Sequence, residues 1–471
     1  MKLEGPEPAS FRDPDSAVFY ADGRVLRGLS ARGAADWERL ASTGFFPALV
    51  AAGKVVGTRP FAGPAPASPR GAPWATVLEH DRIPFISYPY EWPFSMLRDA
   101  AALHLEVVLA ALDDGFSTKD GSAFNIQFRG SEPVFIDVGS FEPAHGPWPG
   151  YRQFCQTLLF PLLIQAHLGI AFQPYLRGSV DGLTPTDVSR MFSGRRRWKR
   201  GVLRNVSLHG ALERRAMSGG ARRAGSEEVK EELRRSGFGG ELAKATTKKL
   251  LKLVRSLDRP RRASVWNDYR DTCSYTDADA AAKRDLVERA LAAGAARTVI
   301  DLGANDGEYS LAAAGRADLV VAVDADETVV DGLYRRARAD GVTNVLPLVV
   351  NLVDPSPAIG WRNAERSSFA ERARADVVLA LALVHHLAIG SNVPLPQVVE
   401  WLRSFDARVV VEFVAPTDPM AQRLLANKPA GLFDDYRADA FEALLARRFD
   451  LSIRSDLPGG TRTLYVAEPR T

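Results

Sequence analysis

The 471-residue, 51.3 kDa chain is 46% hydrophobic, 25% charged and 9% aromatic, a globular composition with room for two or three domains that excludes collagen-like, fibrous and wholly disordered classes. Its 60 Lys and Arg against 57 Asp and Glu leave a net charge of +3, so no chain-wide field drives nucleic-acid binding and a basic partner site must be local. Two cysteines, Cys155 and Cys273, make neither a disulfide framework nor a thiolate metal site, and with no apolar signal core and no apolar run of about 18 residues a soluble cytoplasmic protein without a membrane span is expected.

In chain order, AVFYADGRVLRGL reads as a hairpin turning at Asp22-Gly23, AADWERLASTG as a helix and AGPAPASPRGAP as a loop. RIPFISYPY reads as a strand leading into a long helix from about Phe94 to Asp113, and FNIQF and PVFID as two short strands after it. From Arg195 to Arg262 there are 21 Lys and Arg against 7 Asp and Glu, in GRRRWKRGVLRN, SGGARRAGSEE and a leucine-spaced stretch from Glu227 to Leu257. The expectation is a basic, helical and partly flexible connector over 191–262, either solvated or set against a phosphate-bearing partner.

Beyond it the rhythm changes. TVIDLG, DLVVAVDA, NVLPLVVNL, DVVLALAL and RVVVEFV are short Val- and Leu-rich strands separated by Ala-rich helical stretches, which predicts a parallel sheet covered on both faces. FDLSIRS and RTLYVAE, joined by LPGGT, predict an antiparallel edge hairpin. The fold class is α/β: a doubly wound seven-stranded sheet over 263–471 behind an α+β module over 1–190.

The strongest motif is Val299-Ile300-Asp301-Leu302-Gly303-Ala304-Asn305-Asp306-Gly307, a strand entering a glycine-bearing turn and then the helix EYSLAAAG. Glycines there let the backbone approach a ligand, and Asp324, 23 residues after Asp301 at the end of the next strand, stands where a carboxylate meets ribose hydroxyls in doubly wound sites. From Ser264 to Thr471 these features resemble the class I S-adenosylmethionine-dependent methyltransferases. By that resemblance Asp301, Gly303 and Gly307 line the methionine and ribose part of S-adenosylmethionine, Asp324 binds the ribose hydroxyls and Asn351 lies near the adenine, with Ala304, Asn305, Ala325, Leu383 and Tyr275 as further cofactor-binding residues. Tyr269, Tyr275 and Lys283, in or just before a helix starting near Asp277, are read as cofactor or substrate contacts or as aromatic packing at the sheet edge.

The fourth strand is expected to end in Leu383-Val384-His385-His386-Leu387, placing His385 or His386 at the crevice as general base, as an orienter of the substrate or as packing, with one of the two structural, and Glu412 of VVVEFV orienting that His, binding acceptor hydroxyls or simply pairing with a cation. No HEXXH or Cys/His cluster occurs and the two histidines are adjacent, so no metal is expected.

In the N-terminal module, Asp120, Asn125 and Asp137 sit in KDGSAFN and IDVG with a spacing that resembles the catalytic loop and metal-binding Asp of protein-kinase-like phosphotransferases, over roughly residues 16–190. That resemblance implies Asp120 on an acceptor hydroxyl and Asn125 and Asp137 on magnesium. The phosphate-covering glycine loop and the strand lysine are missing, with only Arg27 and Lys54 to stand in, which weighs against ATP and magnesium and favours a degenerate module for substrate binding or assembly. The whole layout, including PYEWPFSMLRDAA and KDGSAFN, resembles bacterial methyltransferases grouped with nodulation-type proteins. It implies O-methylation of a sugar, glycan or small hydroxylated metabolite; a bifunctional kinase-methyltransferase and a non-catalytic cofactor-binding scaffold are the alternatives. Nucleic acid has only the basic arm in its favour, because LVHHL stands where a base-flipping NPPY-type element would. The oligomeric state is not legible.

Overall fold

The computed structural model describes residues 3–64, 67–68, 71–207, 238–260, 275–294 and 296–470. Two compact units form, one from residues 1–128, 133–261 and 358–367, the other from 129–132, 262–357 and 368–471.

The first unit opens on β1 (Leu3–Pro6), β2 (Ser16–Ala21), β3 (Arg24–Leu29), β4 (Thr58–Pro60) and β5 (Thr76–His80), ordered β1-β2-β3-β5-β4 and antiparallel throughout. The predicted hairpin is there. Asp22 (φ 49°) and Gly23 (φ 75°) take the doubly left-handed turn that matches strand twist, bringing Ala21 opposite Arg24. The helix Phe94–Asp113 also lies where the sequence puts it, and it is buried on most sides, from Phe94 through Leu112. Short strands β6 (Phe116–Thr118), β7 (Ile126–Arg129), β8 (Glu132–Phe135) and β9 (Phe141–Pro143) pair as β6-β9 and β7-β8.

RIPFISYPY is not a strand. Pro84 and Pro89 have no N–H to give a ladder, and the segment is instead held by a side chain: Ser87 N donates to Gln127 Oε1 at 3.0 Å while Gln127 Nε2 donates to the Ser87 carbonyl at 2.9 Å. One buried amide imitates a strand neighbour. In the basic segment the helix Phe238–Arg255 packs on the helix Phe94–Asp113, while 208–237 and 261–262 lie outside the described residues.

The second unit is a seven-stranded sheet of β10 (Thr298–Leu302), β11 (Leu319–Asp324), β12 (Val345–Val349), β13 (Val377–Ala380), β14 (Arg408–Val414), β15 (Phe449–Asp456) and β16 (Arg462–Pro469), ordered β12-β11-β10-β13-β14-β16-β15. The first five run parallel, and the last two form the expected antiparallel hairpin, with β15 at the edge. Strand order reverses between β11-β10 and β13, which is where an open α/β sheet leaves a crevice at its carboxyl ends. Val299, Ile300, Val320, Val321, Val378 and Val410 are fully buried because helices cover both faces, and that is why these strands read as unbroken apolar runs. Among the described residues of both units no helix is long and apolar enough to cross a membrane.

Candidate functional site

A cavity of about 670 Å³ opens at the carboxyl ends of β10, β11, β12 and β13. Its wall takes in Asp301, Gly303, Ala304, Asn305, Asp324, Ala325, Asn351, Leu383 and His386, with Tyr275 and Lys283 from the helix Asp277–Ala292 and the residues before it. Residues expected from four separate stretches of chain thus converge on one space.

The loop after β10 is pinned to the end of β11. Gly303 N and Ala304 N both donate to the Val323 carbonyl at 2.9 Å, and Asn305 N donates to Asp324 Oδ2 at 3.0 Å, while Asp324 Oδ1 accepts from Asp326 N at 2.9 Å. Burial pushes Asp324 up, and these backbone donors offset part of the rise. Asp301 is buried, accepts the Ser310 hydroxyl at Oδ2 at 2.6 Å, and is raised by burial to about 6 despite that bond and Lys283. Two wall residues, Asn305 (φ 48°) and Ala382 (φ 49°), hold left-handed backbone without being glycine, the kind of strain that concentrates at ligand sites.

Gly307 is not part of the wall. At φ 76° it opens the helix Glu308–Ala314, and a Cβ there would lie 2.4 Å from Leu333 Cδ1, so this glycine serves helix packing rather than ligand approach. Gly307→Ala should cost about 2–4 kcal/mol, from left-handed strain plus overpacking, read as an earlier melt of the second unit.

The histidine expectation needs correction. β13 ends at Ala380, and Leu383 lies beyond it, just before a short helical stretch that holds Val384–Leu387. His385 is fully buried, absent from the wall, and held by burial, His386 and Arg462 to about 3; its ring nitrogens have no hydrogen-bond partner among the described residues. Its ring lies tilted against His386 with ring centroids 4.1 Å apart, so it acts as packing behind that ring. His386 does face the cavity, lowered to about 4 by burial and by Arg462, and is neutral at pH 7: it can accept a hydrogen bond but holds a proton weakly.

Glu412 is likewise behind the wall. It is fully buried inside β14, two residues before the strand ends, and receives the Tyr275 hydroxyl at 2.6 Å, Lys283 Nζ at 2.8 Å and Arg462 NH1 at 3.2 Å. Burial pushes its carboxyl up, but Lys283 and Arg462 reverse this and leave it below its usual range. Arg462 continues to Asp418 at 2.8 Å and lies 4.0 Å over the Tyr275 ring, with Lys283 4.7 Å from the same ring. Tyr275 is therefore held by two cations in the cavity wall. The helix behind it starts in a capping box of Thr276 and Asp279, and Asp279 Oδ1 also accepts Gly459 N of the LPGGT turn at 2.7 Å, tying the terminal hairpin to this side of the cavity. Tyr269 lies outside the described residues.

In the first unit Asp137 and Asp120 are both raised, chiefly by burial; Asp137 adds to the rise at Asp120. Arg27 of β3 reaches Asp137 Oδ1 at 3.3 Å, Ser16 Oγ at 3.0 Å and His80 Nε2 at 3.2 Å. Lys54 is used elsewhere, on Glu106 at 2.7 Å. Asn125 is half-buried, with its side-chain Nδ2 unpartnered among the described residues. Among those residues no group of three His, Cys, Asp or Glu is arranged to hold a metal ion; Cys155 is buried and free, and Cys273 lies outside them.

Fold and cavity together define the second unit as a doubly wound α/β unit with its cavity at the switch in strand order. The nodulation protein NoeA of Rhizobium meliloti (strain 1021) is 33% identical over 470 residues, 98% of this chain and 96% of that protein, and the chain belongs to its family. The resemblance of the whole layout to nodulation-type proteins is borne out on that ground. No protein-family model matches. Similar solved structures include the N-methyltransferase NodS from Bradyrhizobium japonicum WM9 in complex with S-adenosyl-L-homocysteine, 11% identical over 44% of this chain and 94% of that one with a TM-score of 0.32. A SAM-dependent methyltransferase from Aquifex aeolicus is 16% identical over 39% and 88%, with a TM-score of 0.28.

Proposed function

We propose that the chain is a methyltransferase that binds S-adenosylmethionine in the 670 Å³ cavity of its second unit and methylates a hydroxyl of a sugar, glycan or small metabolite. The observation that carries this is the joint placement of Asp301, the Gly303–Asn305 turn and Asp324 around one cavity, which supplies carboxylates for an ammonium and a ribose and, at Val350, Leu352 and Leu383, an apolar wall for a flat ring. The cavity falls within the volume range of small-ligand sites, roughly 300–1,000 Å³. Buried Asp301 gains most from a cationic partner, because burial otherwise penalises its charge.

S-adenosylmethionine supplies an electrophilic methyl group on a sulfonium. The chain's own part is to hold an acceptor oxygen in line with it, and the gain from such positioning exceeds what a weak base adds. His386 takes the hydrogen bond of the acceptor hydroxyl and orients it; His385 and Glu412 support from behind. The first unit we read as a degenerate kinase-like module for acceptor binding or assembly, because the Arg27 guanidinium supplies beside Asp137 the positive charge that a divalent cation would otherwise bring.

Calorimetric titration of the full chain with S-adenosylmethionine and, separately, with ATP and magnesium tests both parts. Methyl-donor binding with ATP silent supports the reading. ATP binding that is lost in Asp137→Ala would replace it with the bifunctional enzyme, and no methyl-donor binding would end it. A pH series sharpens the test. Asp301 is raised, so the ligand-free protein holds its proton below about 6. Binding that needs the carboxylate is then level above pH 7 and weakens by up to about tenfold per unit below 6. Asp301→Asn should bind weakly with that slope gone; an unchanged slope would assign the titration to another group.

A further inference from the structure

We propose that the turn Gly194–Trp198 and the helix Phe238–Arg255 form a docking face for an anionic phospholipid bilayer. Arg195, Arg196, Arg197, Lys199 and Arg200 are all exposed, and among the described residues none is paired with a carboxylate. The turn is not a loose end. Val202 and Val206 behind it are fully buried, Asn205 donates to the Gly201 carbonyl at 2.8 Å and accepts the Tyr151 hydroxyl at 3.1 Å, and His167 meets the Arg200 carbonyl at 3.0 Å. Gly201, at φ 80°, is where the helix Phe238–Arg255 comes against the turn, since a Cβ there would lie 2.6 Å from Leu253 Cδ2. That helix adds Lys249 and Lys252, exposed and also without a carboxylate partner among the described residues, whereas its Lys244 and Arg255 are spent on Asp113 and Glu106. A fixed cluster of positive charge results, without a carboxylate partner among the described residues.

Apolar side chains decide what it meets. Trp198 is 65% exposed on the turn, with Arg197 stacked 5.3 Å from its ring; Leu203 (41%) follows the turn, Leu242 (59%) lies on the helix, and Ile170 (42%) ends the stretch that His167 ties to Arg200. Apart from Phe11 and Trp361, these are the large apolar side chains exposed among the described residues of the first unit. Nucleic acid would stack on Trp198 but has no use for exposed Leu and Ile, whereas the headgroup boundary of an anionic membrane takes indole, aliphatic tips and a ring of Arg and Lys together.

Co-sedimentation of the full chain with vesicles of equimolar phosphatidylglycerol and phosphatidylcholine tests this. Binding is expected at low salt, absent at high salt and absent from pure phosphatidylcholine. Arg195→Gln/Arg196→Gln/Arg197→Gln should weaken it roughly a hundredfold and Trp198→Ala several-fold, with thermal melts unchanged. Lys249→Gln/Lys252→Gln should weaken it about tenfold while leaving the turn intact, which keeps the test sound if the triple variant melts early. No vesicle binding, equal binding to neutral vesicles, or tighter binding to RNA than to the anionic vesicles would overturn the proposal.

Discussion

Glu412→Ala is expected to lower the stability of the second unit by about 3–5 kcal/mol, the cost of stranding buried charge. Lys283 and Arg462 are both almost fully buried, and Glu412 is the carboxylate paired with Lys283. Arg462 keeps Asp418, but Lys283 would face the cavity with the neighbouring Asp301 to balance it among the described residues, and the Tyr275 hydroxyl would lose its bond to Glu412. At roughly 2–4 °C per kcal/mol for a unit of this size, its transition falls by on the order of 10 °C in calorimetry. Replacing the pair together, Glu412→Leu with Lys283→Met, should recover most of that loss, since hydrophobic replacement of a buried pair removes both desolvation costs. A double variant as unstable as Glu412→Ala would refute the charge argument and make the loss one of packing. The sign with pH follows from the lowered carboxyl: its stabilisation is full at neutral pH and is lost as pH falls through and below the ordinary glutamate range.

Much of the second unit was legible because its signals are local. Continuous apolar strands, a glycine turn and a carboxylate at the next strand's end lie within about one βαβ repeat, and such patterns need no knowledge of the rest of the chain. Arg462 was not foreseen: it joins Glu412 and lies over Tyr275 from a strand 50 residues further on, and no spacing rule connects the first residue of the hairpin's second strand to the middle of β14. Asp418 carried a readable signal, an N-cap Asp before Pro419, but only the fold turns that cap toward Arg462. The end of the fourth strand was misplaced for a different reason. DVVLALAL looks like a strand to its last residue, yet β13 stops at Ala380 and left-handed Ala382 redirects the chain, which sends His385 inward and His386 to the cavity. RIPFISYPY misled through its apolar alternation, and its two prolines were the warning.

Asp324→Ala should weaken S-adenosylmethionine binding by at least a hundredfold. Two hydrogen bonds from vicinal hydroxyls to one charged acceptor contribute about 1.5–3 kcal/mol each, and both vanish together. A second loss adds to the first, because Asp324 also accepts Asn305 N and Asp326 N and so fixes the loops after β10 and β11 in the shape the ligand meets. Asp324→Asn separates the two contributions. It keeps one acceptor oxygen and the side-chain volume, so the loops stay close to their places, and an affinity between wild type and Asp324→Ala is expected. Isothermal titration at pH 7.5, above the Asp301 transition, gives the comparison, with circular dichroism confirming that each variant is folded. Affinity within about threefold of wild type in Asp324→Ala would mean that the ligand does not reach the end of β11. In that event the Asp301 series decides what remains: a retained pH slope would keep a ligand against β10 alone, and a flat profile would remove this cavity from consideration altogether.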